Sequence, residues 1–273
     1  MRFKAVSLLL ICLCSATSFA SSQPDTQQRS RAQRVWEEAI LARGGRERLE
    51  SVRSIFISSR SKYWHGPKRY EVLTEELIVF PGKIWQWTNY RPVVFGLTVE
   101  LYDFDRGIKY FGNSDVPAPQ PHAMAPSETV LFQTYGALGY LMETKWLKPK
   151  VVGLNESSLR KRKVEVVHTV LTDHVEGFAP ENIYIDFWID RKTHLPLKVT
   201  YTLTTLGQRG SPTDIGFPEY VDMNGIKVPS KTEIDGVRNS VVVELNVSYD
   251  EKLFSRPPSI AAGPDAWKTT ARQ

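Results

Sequence analysis

Residues 182–206, NIYIDFWIDRKTHLPLKVTYTLTTL, alternate apolar and polar positions twice. Ile183, Ile185, Phe187 and Ile189 oppose Tyr184, Asp186, Trp188 and Asp190; after an interruption, Leu197, Val199, Tyr201 and Leu203 oppose Lys198, Thr200, Thr202 and Thr204. Period two sends each set to its own face of a pleated strand. The interruption carries Pro196 where the second strand begins, a place that tolerates a missing N–H. The pattern predicts a long antiparallel hairpin with one apolar face. Two strands alone are marginal in water, so further elements must cover that face.

The flanking sequence supplies them. Before the hairpin, Ser54 to Trp64, Arg69 to Phe80, Ile84 to Tyr90, Phe95 to Phe104 and Ile108 to Phe111 read as strands joined by short turns, a meander. Val151 to Leu154 and Val164 to Leu171 follow, and the cluster Arg160 to Lys163 reads as a strand end or turn. After the hairpin come a polar loop from Gly207 to Gly216, a strand from Glu219 to Asp222, and Ile226 to Ile234 across Asn224-Gly225, a strong hairpin signal. Pro229 predicts an edge or a bulge. The last strand has Val241, Val243, Leu245, Val247 and Tyr249 on one face. Ser259 to Gln273 reads as a tail on which Trp267 can dock.

Helices stand at the front and in the middle. Val35, Ile40 and Leu41, with Trp36 nearby, have helical spacing within Ala32 to Arg43, and Gly44-Gly45 is a C-terminal stop. Arg46 to Val52 reads as a second short piece. Asn113 to Ser127 holds Pro117, Pro119, Pro121 and Pro126, which reads as a surface loop. Thr129 to Leu147 is apolar on most sides despite Gly136 and Gly139, as a buried helix is. The expected fold is mainly β with helices (α+β): a strongly curved antiparallel sheet of about eleven strands with this apolar helix on its concave face. A closed barrel with a plug and a two-layer sandwich are the alternatives.

The chain has 273 residues, 41% of them hydrophobic, which suffices for a core without disulfides. Met1 to Lys4 is a positive n-region, Ala5 to Ala16 an apolar stretch too short to span a bilayer, and Ser18-Phe19-Ala20 a cleavage site. The expected organisation is a signal peptide 1–20, a flexible leader 21–30, one domain 31–258 and a tail 259–273. The expected product is soluble and periplasmic or secreted. Cys12 and Cys14 both lie in the signal, so the mature chain has no thiol chemistry. Losing Arg2 and Lys4 lowers the net charge from +5 to +3, and no basic stripe suggests nucleic acid.

Motifs for chemistry are few. His65, His122, His168, His174 and His194 form no metal-ligand spacing, and no G-x-S-x-G elbow or phosphate loop occurs. His168, with Val164, Val166 and Val170, reads as a satisfied core histidine. A hydrolase using His168 or His174 is the weaker alternative. Asp186 and Asp190 lie about 13 Å apart at ~3.3 Å per residue, too far for retaining glycoside chemistry. Both read as solvated.

Three stretches carry a resemblance: ARGGRERLESVRSI (42–55), DFWIDRKTHLPLKV (186–199) and FPEYVDMNGIKVP (217–229), closing with Leu253-Phe254 and Pro257. Together they resemble the LolA/LolB lipoprotein-carrier fold, which also includes the N-terminal domain of the envelope-stress regulator RseB. The resemblance implies an open half-barrel that holds acyl chains. Combined with the aromatic-rich strands, it leads to an exported, non-catalytic carrier of a lipid or of lipoprotein acyl chains. The expected lining is Trp85, Trp87, Phe132, Tyr135, Leu138 and Trp188, with the apolar helix as a lid. No cofactor or metal is expected. An envelope protein partner is the other possibility, giving a protein-interaction or sensing module. Oligomeric state is not encoded in any pattern.

Overall fold

The computed structural model describes residues 26–65, 67–90, 96–113, 120–123, 137–173, 181–205, 208–255, 257–259 and 263–268. Helix α1 spans Thr26–Arg43 and α2 Arg46–Glu50. The strands are β1 Ser54–His65, β2 Lys68–Val79, β3 Lys83–Asn89, β4 Leu97–Asp103, β5 Ile108–Asn113, β6 Pro121–Ala123, β7 Lys150–Leu159, β8 Arg162–Asp173, β9 Glu181–Asp190, β10 Pro196–Thr205, β11 Gln208–Arg209, β12 Thr213–Met223, β13 Ile226–Ile234 and β14 Val237–Leu245. Thirteen of them form one path, β6-β5-β4-β3-β2-β1-β14-β13-β12-β10-β9-β8-β7, with β11 attached to β10. Every pairing is antiparallel. The path is open, with β6 and β7 at its ends, so neither a closed barrel nor a sandwich forms.

The sheet is curved. One contiguous core draws on Tyr102 of β4 and Val167 of β8, nine strands apart along the path. At about 4.8 Å per strand a flat sheet would hold these more than 40 Å apart. Helix α1 lies on the inner face against β7, β8 and β13, burying Ala32, Val35, Trp36, Ala39, Ile40 and Arg43. It begins at Thr26, inside the expected leader, and Leu41, expected inward, is 74% exposed. Gly44 and Gly45, at φ 128° and 88°, end it, and the Gly45 N–H donates to the Ile40 carbonyl at 2.9 Å. A side chain on Gly44 would collide with the Gly225 carbonyl of the β12–β13 turn, which locks the end of α1 to that turn.

The hairpin forms as expected, with Ile185 opposite Tyr201 and Phe187 opposite Val199. Asp190 is not solvated. Its Oδ1 accepts from the N–H groups of Lys192 and Thr193 and from the Thr193 hydroxyl, and its Oδ2 lies 2.8 Å from Arg162. Burial opposes ionisation of Asp190, and these donors together outweigh it, holding the carboxyl below its usual range.

The sheet adds the short β6 and β11 to the expected strands, and β7 and β12 run longer than expected where polar sequence hides strand. β7 continues through Asn155 to Leu159, and β12 starts at Thr213 in the expected loop, both with mostly exposed side chains and no apolar alternation. β6 is an edge strand led by Pro121, a position that needs no donor. Pro229 stands opposite Tyr220 beside a register shift, the predicted bulge. Val247 and Tyr249 do not continue the inner face of Val241 and Val243. β14 ends at Leu245, Asn246 turns at φ 55°, and both residues pack on the other side.

That other side carries a second core. Phe56, Leu77, Trp85, Trp87, Val99, Leu101 and Tyr110 face outward from β1 to β5, under Leu253, Phe254 and Trp267 of the C-terminal segment. The Trp267 ring stacks on Phe56 at 4.3 Å between centroids. The expected tail is therefore in part a cover.

Candidate functional site

The concave face is the candidate site. Of the expected Thr129–Leu147 helix, 129–136 lie outside the described residues, 137–141 are helical, and the chain leaves the helix at Met142, φ 65°. Ala137, Leu138, Leu141 and Met142 are fully buried. Gly139 is there because a Cβ would stand 2.9 Å from the Tyr201 hydroxyl. The irregular run after Met142 is held by its own turn, in which the Thr144 hydroxyl accepts from the N–H groups of Trp146 and Leu147. Trp146 stacks on Phe80 at 5.4 Å, and Leu147 adjoins Ile78 and Ile84 around a void of about 10 Å³.

One buried carboxylate ties this run to α1. Glu143 is 2% exposed, and its Oε1 accepts from Arg46 at 2.6 Å. The Trp36 indole N–H donates weakly to its Oε2 at 3.4 Å. Burial raises the Glu143 pKa, against the lowering effect of Arg46 and Trp36. Arg46 also pairs with Glu37 at 2.7 Å.

The inner face is not wholly apolar. Glu76 of β2, Gln86 of β3 and Glu100 of β4 stand in register across three strands. The Tyr102 hydroxyl donates to Glu100. Burial, and then the charge of Glu100, push Glu76 up to about 7. Burial and the charge of Glu76 raise Tyr140 in turn. At the far end of the face, fully buried Arg43 stacks on Tyr220, whose hydroxyl donates to the Pro196 carbonyl at 2.7 Å.

The expected lining residues are not brought together. Leu138 is in the inner core; Trp85 and Trp87 are neighbours on the outer face, beneath Phe254 and Trp267. Trp188 is also outward, its ring under the Lys198 ammonium at 3.9 Å and its N–H donating to Thr200 at 3.2 Å. Phe132 and Tyr135 lie outside the described residues. Arg43, Glu76, Tyr140 and Glu143 did not stand out in the sequence. For Arg43 a signal existed, since it follows Trp36, Ala39 and Ile40 at helical spacing on the buried stripe of α1.

The histidines offer partial geometry. His168 is on the outer face, not in the core, and its Nδ1 is 2.8 Å from Asp186. Asp186 is its only hydrogen-bond partner among the described residues, so the ring has an orienting carboxylate and no nucleophile. His174 lies outside the described residues. Among these residues no group of three metal-ligating side chains occurs.

An open outer cleft of about 450 Å³ adjoins bulges in β10 and β12, between Arg160, Arg162, Lys198, Asp214, Phe217 and Glu233. Within it Arg160 pairs with Glu233 and Lys198 with Asp214. No described helix is long and apolar enough to cross a membrane.

No family model matches the sequence, and no curated protein matches it. Solved structures are similar in fold. A domain assigned to outer-membrane lipoprotein sorting, from Vibrio parahaemolyticus, is 13% identical with a TM-score of 0.46, over 83% of this chain and 97% of that one. A DUF1329 family protein from Desulfovibrio piger is 10% identical with a TM-score of 0.48, over 82% and 96%. A LolA superfamily protein from Nitrosomonas europaea is 12% identical with a TM-score of 0.45, over 82% and 96%.

Proposed function

We propose that the protein is an exported, non-catalytic carrier that takes a hydrophobic ligand, a lipid or the acyl chains of a lipoprotein, onto the concave face of its sheet. The observation that carries this reading is the cover of that face. Over Ile78, Phe80 and Ile84 lie Trp146 and Leu147, in an irregular run tied to α1 through Glu143. A cover of this kind can be displaced by a ligand that binds the uncovered state better. An acyl chain contributes about 0.8 kcal/mol per buried CH₂, enough to compete with such a segment. The lining would be Leu138, Ile78, Phe80, Ile84 and Trp146. Cleavage near Ala20 would release the protein to the periplasm or the exterior.

Native mass spectrometry with lipid extraction, on protein purified from its own envelope, tests the reading. Co-purified lipid, and a fluorescent fatty-acid probe that changes tryptophan emission, are the expected results. A ligand-free protein that ignores the probe would overturn it. An intact Met1 in a cytoplasmic fraction would overturn the export part. A second reading, an envelope-protein interaction module, is favoured by the outer cleft. Recovery of a partner that Arg160→Glu releases, with no lipid, would replace the carrier.

A further inference from the structure

We infer that Arg43 anchors an anionic head group, a carboxylate or a phosphate, on the ligand that enters the concave face; this rests on the carrier reading above. Arg43 is the last residue of α1 and has no exposed surface. Its Nη1 donates to the Tyr220 hydroxyl at 3.3 Å, and its Cζ lies 5.1 Å from the centre of that ring. Among the described residues Tyr220 is its only partner. Nε and Nη2 are buried with no acceptor. Those two donors share one edge of the planar guanidinium, the edge that takes both oxygens of a carboxylate or phosphate in parallel bonds.

The charge cannot be shed, because a guanidinium stays protonated in proteins. Tyr220 is no counter-ion, since burial pushes its phenol up to about 12. The C-terminal dipole of α1 favours a cation at that end, but offers the Nε/Nη2 edge no acceptor. A purely structural role accounts for Nη1 and the ring contact, and leaves two charged donors unmatched where buried groups are otherwise paired. Met at this position would fill the space with no charge to desolvate. The backbone is fixed as well, because Gly44 is pressed against the Gly225 carbonyl. An immobile arginine with an unused two-donor edge matches a ligand that brings its own anion. Esterified chains of a lipoprotein carry no anion at their carbonyl end, so the inference selects a free fatty acid or a phosphate-headed lysolipid among hydrophobic ligands.

The test is competition binding on delipidated mature protein with oleate, oleoyl-lysophosphatidate and oleyl alcohol, in wild type and Arg43→Met. An anionic ligand should bind wild type about tenfold tighter than the alcohol, a difference of about 1.4 kcal/mol. The higher-ranking anion identifies the head group. Arg43→Met should erase the preference and leave alcohol affinity within about threefold of wild type. Equal binding of all three to wild type, or a preference that survives in Arg43→Met, would overturn the inference while leaving the carrier reading intact. Binding of none would overturn the carrier reading and the inference with it. If Arg43→Met does not fold, the wild-type ranking decides together with Arg43→Lys, which keeps the charge, loses the two-donor edge and should lose most of the preference.

Discussion

Glu76 makes stability depend on pH in a direction opposite to most carboxylates. Burial and Glu100 raise it from 4.5 to about 7, so the folded chain holds a proton that the unfolded chain releases. Its contribution favours folding at pH 4.5 and below, and is lost as pH rises toward 7. The loss is at most about 3 kcal/mol at 1.36 kcal/mol per unit. Glu76→Gln should therefore flatten the fall in melting temperature between pH 5 and pH 8, and raise it at pH 8. An unchanged pH profile would show that Glu76 titrates normally. Strand alternation sends Glu75 and Glu76 to opposite faces of β2, but does not say which face is inside. The same limit put Trp85 and Trp87 in the expected lining. They are as apolar as the inner residues and face a second core that only the C-terminal segment creates. Asp190 was misread for a related reason, because a strand-end carboxylate looks solvated until the turn donors that enclose it are known.

Two segments cover the two faces of the sheet, and each makes a separate prediction. On the outer face, Trp267 stacks on Phe56 and is 4% exposed. Trp267→Ala should cost about 3 kcal/mol in denaturant unfolding, the usual scale for a buried aromatic, and should increase binding of a hydrophobic dye over Trp85 and Trp87. A loss below about 0.5 kcal/mol would mean that the segment is not docked in solution. On the inner face, Arg46→Ala leaves Glu143 buried without its main partner, a loss of about 3 kcal/mol by analogy with broken buried pairs. In the carrier reading this loosens the run through Trp146, so stopped-flow uptake of a fatty-acid probe should speed up several-fold. Slower or unchanged uptake would separate the cover from access to the face. Helix ends and hairpins were legible because glycine pairs and Asn224-Gly225 carry backbone requirements of their own. The break at Met142 was not, because Met142, Trp146 and Leu147 prolong the apolar pattern past it and Thr144 gives no warning of its turn.

Across the molecule, the antiparallel sheet was legible from period-two strands and short turns, while the strand order and the seating of α1 on the inner face were not. Meanders predict neighbours, and they do run β1 to β5 and β7 to β10. What joins the halves is the pairing of β1 with β14, where Ile55 meets Leu245, about 190 residues downstream. No local pattern announces it. Its consequence is temporal. During synthesis one edge of β1 is bare until about 190 further residues have left the ribosome, and loop closure of that length is slow compared with forming any of the hairpins. The two meanders can gather early, but the inner face cannot acquire its full curvature before the last strand arrives. In the export reading, a chain so wired stays threadable for as long as it is unfinished, the state in which a secretion channel would receive it.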